Sequence, residues 1–478
     1  MSTKKKAVET RGYKGKSLKI LDEASISVGD TINLRTTSDK DVIGILMPRY
    51  ESADENHIVV KLKSGYNIGI ETTNIQSIVK IMPSPNQNIS SIHQIKSPSY
   101  KHAVISVRKS VDNKKHESYE SLPKVALIST GGTIASKIDY RTGGVHAAIS
   151  ATDLYASIPE LGKYASVDPE VILNEYSENL KPEHWTLIAN KIAEKIRSDR
   201  YRGIIISHGT DTMHYTASAL SFALQNLPVP VVLVGAQRSS DRPSSDAALN
   251  LIGATVFCIK SDYSGVFVAM HAGPSDDIIA CHMGTRVRKN HTSRRDAFES
   301  IDMMPIALIN GDIVQMQLQQ HRQLKLHQRN NNLLDFTVKP TYDRRVILIK
   351  YYPGLDPRVL TNILTKQDYK AIILEGTGLG HISRECIPEI EKMIQSGIMV
   401  FMTSQCIWGR TGMTVYDTGR DLLKVGVIPL SDMLSETAIV KAMWVLANSK
   451  DTESSKQIMQ QNIANEISSV TPFGYKHL

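Results

Sequence analysis

The feature that most constrains this chain is a series of short apolar runs without the usual alternation of polar and apolar residues. Three of them are Val125-Ala-Leu-Ile-Ser129, Gly203-Ile-Ile-Ile-Ser207 and Val231-Val-Leu-Val234, and helical segments lie between them. A strand that is apolar on both sides must be covered on both sides, as in a parallel sheet between two layers of helices. Residues 123 to 335 are therefore predicted to form a doubly wound α/β domain.

The same pattern returns after a polar stretch around residues 319–332. Val346-Ile-Leu-Ile-Lys350, Ala371-Ile-Ile-Leu374 and Ile398-Met-Val-Phe-Met402 are again uninterrupted apolar runs. Residues 336 to 478 are predicted to form a second doubly wound α/β domain. With 41% hydrophobic and 22% charged residues, the 478-residue chain can fill several buried cores, and global disorder is excluded.

The first part of the chain has a different pattern. Residues 1 to 28 are rich in lysine and weakly patterned, and we interpret them as a basic, partly mobile N-terminus. Short alternating runs follow, such as Thr31-Ile-Asn-Leu-Arg35 and His57-Ile-Val-Val-Lys-Leu62, which predict a small all-β barrel over residues 29 to 85. Residues 86 to 122 are rich in Pro, Ser, Asn and Lys, which is typical of a linker.

The predicted barrel contains no visible catalytic constellation, so we interpret it as a docking domain. Small barrels also bind RNA, through surface aromatic residues on basic strands. Only Tyr50 and Tyr66 fit that description here, which favours a protein partner. The net charge of +8 is modest for a chain of this length and does not by itself predict nucleic-acid binding.

Two glycine–threonine loops follow buried strands, at the position where doubly wound sheets bind their ligands. They are Thr130-Gly-Gly-Thr-Ile134 and His208-Gly-Thr-Asp-Thr212. Such a loop suits a threonine nucleophile, with backbone N–H groups to bind a developing oxyanion. A lysine in Arg286-Val-Arg-Lys-Asn-His291 could act as the base. Because Ser, Thr and Asp in such loops often only cap the next helix, one loop alone does not predict catalysis.

Three segments taken together are far more specific. Thr130-Gly-Gly-Thr-Ile-Ala135, Ser207-His-Gly-Thr-Asp-Thr212 and Arg288-Lys-Asn-His-Thr292 resemble the three signature motifs of the bacterial-type L-asparaginase/glutaminase family, and they occur in that family's order. The resemblance covers residues 123 to 478 and implies two asparaginase-type α/β domains. It also implies hydrolysis of a side-chain amide, with no metal ion and no organic cofactor on this chain.

The resemblance assigns catalytic roles position by position. Thr133 matches the family's primary nucleophile. Thr210 and Asp211 match the second threonine and its adjacent carboxylate, and Lys289 matches the lysine that completes this triad. Asp211 is also expected to meet the α-ammonium group of the substrate.

Three further residues are predicted to bind the substrate. Tyr140 resembles the loop tyrosine that closes over the substrate, and Ser177 resembles the serine that holds its α-carboxylate. Glu178 is a candidate for the α-ammonium end of the ligand, as Asp211 is, with exposed helix capping as the alternative role.

About 120 residues precede the first motif, which a free asparaginase does not need. Their layout, with Val42-Ile-Gly-Ile-Leu-Met-Pro-Arg-Tyr50 in the barrel, resembles the ammonia-supplying subunit of archaeal glutamyl-tRNA(Gln) amidotransferases. This resemblance implies that the chain hydrolyses glutamine and passes ammonia to a partner, the E subunit of the amidotransferase, which amidates mischarged Glu-tRNA(Gln). ATP, Mg and most of the tRNA are then expected on the partner, in a two-fold dimer of heterodimers.

Two glycine-rich segments differ from the patterns of known nucleotide sites. Gly12-Tyr-Lys-Gly-Lys-Ser17 has Thr10 where a phosphate loop needs glycine, and Gly376-Thr-Gly-Leu-Gly380 does not match the dinucleotide fingerprint. Neither predicts a nucleotide site, which agrees with ATP chemistry on another chain.

Two alternatives stay open: a stand-alone L-asparaginase, and a binding or scaffold protein on an inactive asparaginase fold. Substrate preference and dependence on a partner separate the first from a subunit. The presence of all four motif residues, Thr133, Thr210, Asp211 and Lys289, argues against the second. Widely spaced cysteines, no apolar run long enough for a membrane span and no signal-peptide pattern after Met1 predict a cytoplasmic protein with reduced thiols.

Overall fold

A computed structural model describes residues 12–47, 49, 54–62, 67–81, 122–132, 136–138, 145–147, 158–238, 245–317, 324, 326–330, 333–365 and 368–470. These residues fall into two compact units. Residues 12–81 lie in the first, and residues 122–470, apart from Ile138 and residues 145–146, lie in the second. The predicted linker is outside the described residues except for Leu122, and so are Tyr50 and Tyr66.

The first unit is a small antiparallel β domain with one helix, and its strand order is β4-β3-β2-β1-β5. Alternate residues of the strands, such as Ile32 and Leu34, are buried in its core, as the period-two pattern predicts. Its elements are α1 (Gly15–Glu23), β1 (Thr31–Thr36), β2 (Asp41–Leu46), β3 (His57–Leu62), β4 (Asn67–Glu71) and β5 (Ile75–Lys80).

Helix α1 lies within residues 1 to 28, the segment interpreted as a basic, partly mobile N-terminus, and the sequence analysis did not predict it. Leu21 of this helix and Ile26 after it are fully buried in the β-domain core. The helix has nine residues and buries only Ser17 and Leu21. So short a helix leaves too few apolar positions for its periodicity to be recognised in the sequence.

The second unit begins with a large mixed sheet of order β18-β17-β14-β13-β12-β10-β6-β9. The elements of this part of the unit are β6 (Lys124–Gly131), β9 (Ser166–Glu175), α2 (Pro182–Ser198), β10 (Gly203–Ser207), α3 (Met213–Ala223), β11 (Leu224–Gln225), β12 (Pro230–Val234), α4 (Ala247–Lys260), β13 (Tyr263–His271), β14 (Ile279–Met283), β15 (Val287–Lys289), β16 (Phe298–Ser300), β17 (Ala307–Asn310), β18 (Ile313–Met316), β19 (His327–Gln328) and β20 (Thr337–Val338). The residues of two short strands, β7 (Ser136–Ile138) and β8 (Val145–Ala147), are divided between the two units.

Helices cover both faces of this sheet, which explains its uninterrupted apolar strands. The strands from β13 to β9 pair in parallel. Ile205 of β10 lies in a core with Leu251 of α4, whereas its neighbours Ile204 and Ile206 lie in a second core with Leu220 of α3. Successive side chains of one strand therefore enter opposite cores, and both must be apolar.

The C-terminal part of this unit is a smaller parallel sheet of order β21-β22-β23-β24, also covered on both faces. Together with the large sheet and the N-terminal β domain it confirms the predicted fold class. Its elements are β21 (Val346–Lys350), α5 (Pro357–Thr365), β22 (Ala371–Gly376), α6 (Ile387–Gln395), β23 (Met399–Ser404), α7 (Asp417–Val425), β24 (Ile428–Pro429), α8 (Ser435–Asn448) and α9 (Thr452–Gln460).

The four cysteines carry free thiols: Cys258, Cys281 and Cys386 are buried, and Cys406 is exposed. Among the helices in the described ranges, none combines the length and apolarity needed to cross a bilayer. The same part of the chain contains no group of three or more His, Cys, Asp or Glu side chains arranged to hold a metal ion.

Candidate active site

Residues 130–132, the described part of the first glycine–threonine loop, lie beside the second loop at one edge of the large sheet. Strands β6 and β10 are parallel neighbours, with Ser129 opposite Ser207, so their loops leave the sheet at the same edge. The hydroxyl of Thr130 donates to the carbonyl oxygen of Ser207 at 2.9 Å and ties the two strand ends together. Thr133 and Tyr140, the predicted nucleophile and loop tyrosine, lie outside the described residues.

The loops approach each other so closely that only glycine fits between them. A Cβ added at Gly132 would lie 2.3 Å from the backbone nitrogen of Gly209, and Gly132 has a φ of +82°. A side chain is excluded by both the contact and the backbone conformation. The last described residue before Thr133 is therefore pressed against the loop that carries Thr210.

Lys289 joins the second loop to form the predicted threonine–lysine–aspartate cluster. Its Nζ donates to Oγ1 of Thr210 at 2.8 Å and to Oδ1 of Asp211 at 2.6 Å. The Lys289 side chain is only 9% exposed, whereas that of Asp211 is 69% exposed. The carboxylate thus holds the buried lysine against the threonine hydroxyl and still presents a face to solvent, where a ligand cation could meet it.

Of the predicted substrate-binding residues, Ser177 lies against this loop. A Cβ added at Gly209 would lie 2.9 Å from the Oγ of Ser177, and the hydroxyl of Thr212 donates to the carbonyl oxygen of Ser177 at 2.7 Å. Glu178 is exposed in the short 3-10 helix Ser177–Asn179. Within the described ranges, no hydrogen bond or ion pair joins Glu178 to the Thr210 loop.

His208 supports the second loop, a role that the sequence analysis did not assign. It is fully buried, and its Nδ1 lies 2.6 Å from the carbonyl oxygen of Gly209, so Nδ1 carries the proton and donates. Its Nε2 accepts from the hydroxyl of Thr216 at 2.9 Å, and that hydroxyl accepts from Trp185 at 3.1 Å. Burial lowers the pKa of His208 to about 4, so a neutral imidazole holds the loop at physiological pH.

A lysine between a threonine hydroxyl and a carboxylate, at the carboxyl ends of doubly wound strands, defines this chain as an asparaginase-type α/β protein. Three family models match it. "Asparaginase, N-terminal" covers residues 124–322, "Glutaminase/Asparaginase C-terminal domain" covers residues 345–459, and "GatD N-terminal domain" covers residues 26–81.

Individual relatives identify the family within this class of proteins. The D subunit of glutamyl-tRNA(Gln) amidotransferase from Pyrococcus abyssi is 43% identical over 95% of this chain and 98% of its own length. The corresponding protein of Thermofilum pendens is 38% identical over 98% of both chains. The chain belongs to the family of glutamyl-tRNA(Gln) amidotransferase D subunits. A solved L-asparaginase from Thermococcus kodakarensis is 34% identical, with a TM-score of 0.63, and covers 73% of this chain and 100% of its own.

Proposed function

We propose that this chain hydrolyses glutamine and supplies the ammonia that a tRNA-dependent amidotransferase uses to convert Glu-tRNA(Gln) to Gln-tRNA(Gln). The observation that carries the proposal is the side-chain nitrogen of Lys289, which lies between Thr210 and Asp211. Nearly full-length similarity to proteins named as the D subunit of that amidotransferase supports the second half of the reaction.

In the proposed mechanism Thr133 is the nucleophile. Its hydroxyl oxygen attacks the side-chain amide carbon of glutamine, and the hydroxyl proton passes to the Thr210–Lys289 pair, with Lys289 in its neutral form. Backbone N–H groups of the glycine loops bind the developing oxyanion. The proton then goes to the amide nitrogen, the C–N bond breaks and ammonia leaves. Water attacks the resulting ester with the same base, which releases glutamate and restores Thr133.

The proposed substrate contacts use both ends of the amino acid. The exposed carboxylate of Asp211 binds the α-ammonium group while one of its oxygens accepts from Lys289. Ser177 binds the α-carboxylate, and its position against Gly209 keeps that contact next to the reacting loop. Tyr140 closes over the bound amino acid, and Glu178 is kept as a candidate for the α-ammonium end.

Each of these relatives is named as one subunit of a larger enzyme. This chain is likewise one subunit of a complex. We assign the ATP, the Mg and most of the tRNA contacts to the E subunit, in a two-fold dimer of heterodimers, and no cofactor to this chain. Support comes from the glycine-rich segments Gly12–Ser17 and Gly376–Gly380, neither of which has a nucleotide-binding pattern. A cytoplasmic location also stays a prediction.

The test is ammonia release from glutamine and from asparagine, first by the purified chain and then with the E subunit and Glu-tRNA(Gln). We expect the purified chain alone to release ammonia slowly. The rate of release from glutamine rises when the partner and the mischarged tRNA are added. Similarity to the Thermococcus L-asparaginase keeps a stand-alone asparaginase as the second candidate. Fast asparagine hydrolysis that the partner does not change would establish that candidate instead.

A further inference from the structure

Lys289 is the last residue of β15, a strand too short to fix the position of this lysine without other contacts. Strand β15 has three residues and pairs with β16 in a two-stranded ribbon, in which Lys289 lies opposite Phe298. Isolated ribbons of this kind are marginally stable. Contacts between the side chains of the ribbon and the rest of the unit must therefore fix the position of the lysine.

The residue before Lys289 makes such a contact on the opposite face. Because side chains alternate along a strand, Arg288 and Lys289 leave β15 on opposite sides. Nε of Arg288 donates to Oε1 of Glu436 at 2.6 Å, and the two side chains are 32% and 14% exposed. Glu436 lies in the first turn of α8, where the helix dipole favours a carboxylate.

Neighbouring groups leave this ion pair intact. His214 lies near both Glu436 and Arg288, and burial lowers its pKa to about 4, so it is neutral and does not compete for the carboxylate. Arg286, two residues before Arg288, pairs with Asp432 instead, and both of these side chains are fully enclosed. Arg288 and Glu436 thus form a partly exposed pair on the strand that carries Lys289, and they can be changed without leaving a deeply buried charge.

We propose that Arg288 and Glu436 are a positioning pair that holds β15, and through it Nζ of Lys289, against Thr210 and Asp211. The inference rests on the function proposed for Lys289. The pair touches neither the threonine nor the aspartate; it acts by preventing the strand from sliding along α8. A displacement of about 1 Å at a reacting group can lower a rate about a hundredfold. The contacts at stake are the 2.8 Å and 2.6 Å hydrogen bonds of Lys289 Nζ.

The experiment is a double-mutant cycle on glutamine hydrolysis by the full chain assembled with the E subunit. Arg288→Met and Glu436→Gln each remove one charge, and each is expected to lower kcat about tenfold. KM stays within about twofold, since Ser177 and Asp211 are unchanged. The double variant loses no more than either single variant, because the pair acts as one unit. Arg288→Lys keeps the cation and retains most of kcat.

The matched control is Arg345→Met, which removes a partly exposed arginine paired with Asp343 at the start of the smaller sheet. It is expected to keep wild-type kcat while its thermal unfolding temperature shifts by about as much as that of Arg288→Met. Unchanged kcat in both single variants would overturn the inference. So would a double variant about a hundredfold slower than wild type, or an equal loss of kcat in Arg345→Met.

Wild type and Lys289→Met in the same assay separate this inference from the proposed function. Active wild type, inactive Lys289→Met and fully active pair variants reject the positioning role alone. Wild type that releases no ammonia from glutamine rejects the proposed function, and the positioning inference falls with it.

Discussion

The two sheets of the second unit carry the same residue types at the carboxyl ends of their parallel strands but arrange them differently. At the large sheet, the hydroxyl of Thr210 accepts from Lys289, which also binds Asp211. At the smaller sheet, Thr377 follows β22 in the same way, yet its hydroxyl donates to the carbonyl oxygen of His381 at 3.0 Å. A glycine–threonine loop after a buried strand is therefore not a site by itself.

The smaller sheet also has a lysine and a carboxylate at this edge. Lys350, the last residue of β21, lies 3.4 Å from Glu375 of β22. Backbone hydrogen bonds between Thr377 and His381 close a tight turn, and the threonine hydroxyl is used within it. The two edges therefore differ in the partner of the threonine hydroxyl. Lys289, from a separate two-stranded ribbon, donates to Thr210, whereas Thr377 of the smaller sheet donates within its own turn.

The largest expected effect comes from replacing Lys289 and Lys350, one at a time, by methionine. Lys289→Met removes the proposed base and is expected to lower kcat for ammonia release from glutamine about a thousandfold. Lys350→Met is the matched control and keeps the wild-type rate. Circular dichroism checks that both variants are folded. Equal losses in the two variants would remove the functional distinction between the two sheet edges.

The next largest effect concerns stability and a buried ion pair that joins the two α/β domains of the second unit. Arg286 precedes β15, and Asp432 follows β24; their ion pair of 3.1 Å is buried. Arg286→Met leaves the Asp432 carboxylate buried without its main partner, so the free energy of unfolding falls by about 3 to 5 kcal/mol. Arg358→Met, which breaks an exposed pair with Asp356, leaves the free energy of unfolding close to that of wild type. Chemical denaturation measures both, and similar losses would contradict the account.

A smaller effect distinguishes the glycines of the two loops. Gly132→Ala forces a Cβ to within 2.3 Å of the Gly209 nitrogen at a φ of +82°, and we expect a loss of about 2 kcal/mol in stability. Activity falls as well, since the Thr210 loop must move. A Cβ at Gly378, with a φ of +50°, meets nothing within 4 Å, so Gly378→Ala costs about 1 kcal/mol and leaves the rate unchanged. Retained activity in Gly132→Ala would show that the close approach of the loops is dispensable.

The smallest effect is a dependence of stability on pH that arises at the large sheet. His208 has a pKa lowered by burial to about 4, whereas the same group in the unfolded chain titrates near 6.5. Between these values the unfolded state binds more protons, so stability falls as the pH falls. From about pH 7 to about pH 5.5 the loss is about 1 kcal/mol per such histidine. Unfolding of wild type and His208→Gln at both pH values measures this difference, and identical pH dependence in the two proteins would contradict it.

The sequence predicted the two-sided burial of the large-sheet strands, because Ile204 and Ile205 can both be apolar only where both faces are covered. It also grouped Thr210 and Asp211 with Lys289 through the second and third family motifs. The strand and glycine pattern alone could not separate Thr210 from Thr377, since both follow a buried strand and a glycine; only the family motif did. That distinction depends on which side chain arrives from a distant part of the chain.

The contacts that the sequence did not predict are of the same long-range kind. Arg288 and Glu436 are 148 residues apart, and neither belongs to a pattern that indicates the other. His208 stood in a recognised motif, but its hydrogen bonds to Gly209 and Thr216 depend on how the following helix packs. Helix α1 was missed for a local reason, because its few buried positions give no clear period.

The most direct test of ammonia transfer from glutamine to the tRNA-bound amino acid follows the side-chain nitrogen of glutamine. Glutamine labelled with ¹⁵N in its amide is supplied, with ATP and Glu-tRNA(Gln), to this chain assembled with the E subunit. The account predicts that tRNA-bound glutamine carries the label, and that Lys289→Met forms tRNA-bound glutamine from added ammonium chloride but not from labelled glutamine. Unlabelled product with wild type, or full transfer of the label by Lys289→Met, would contradict it.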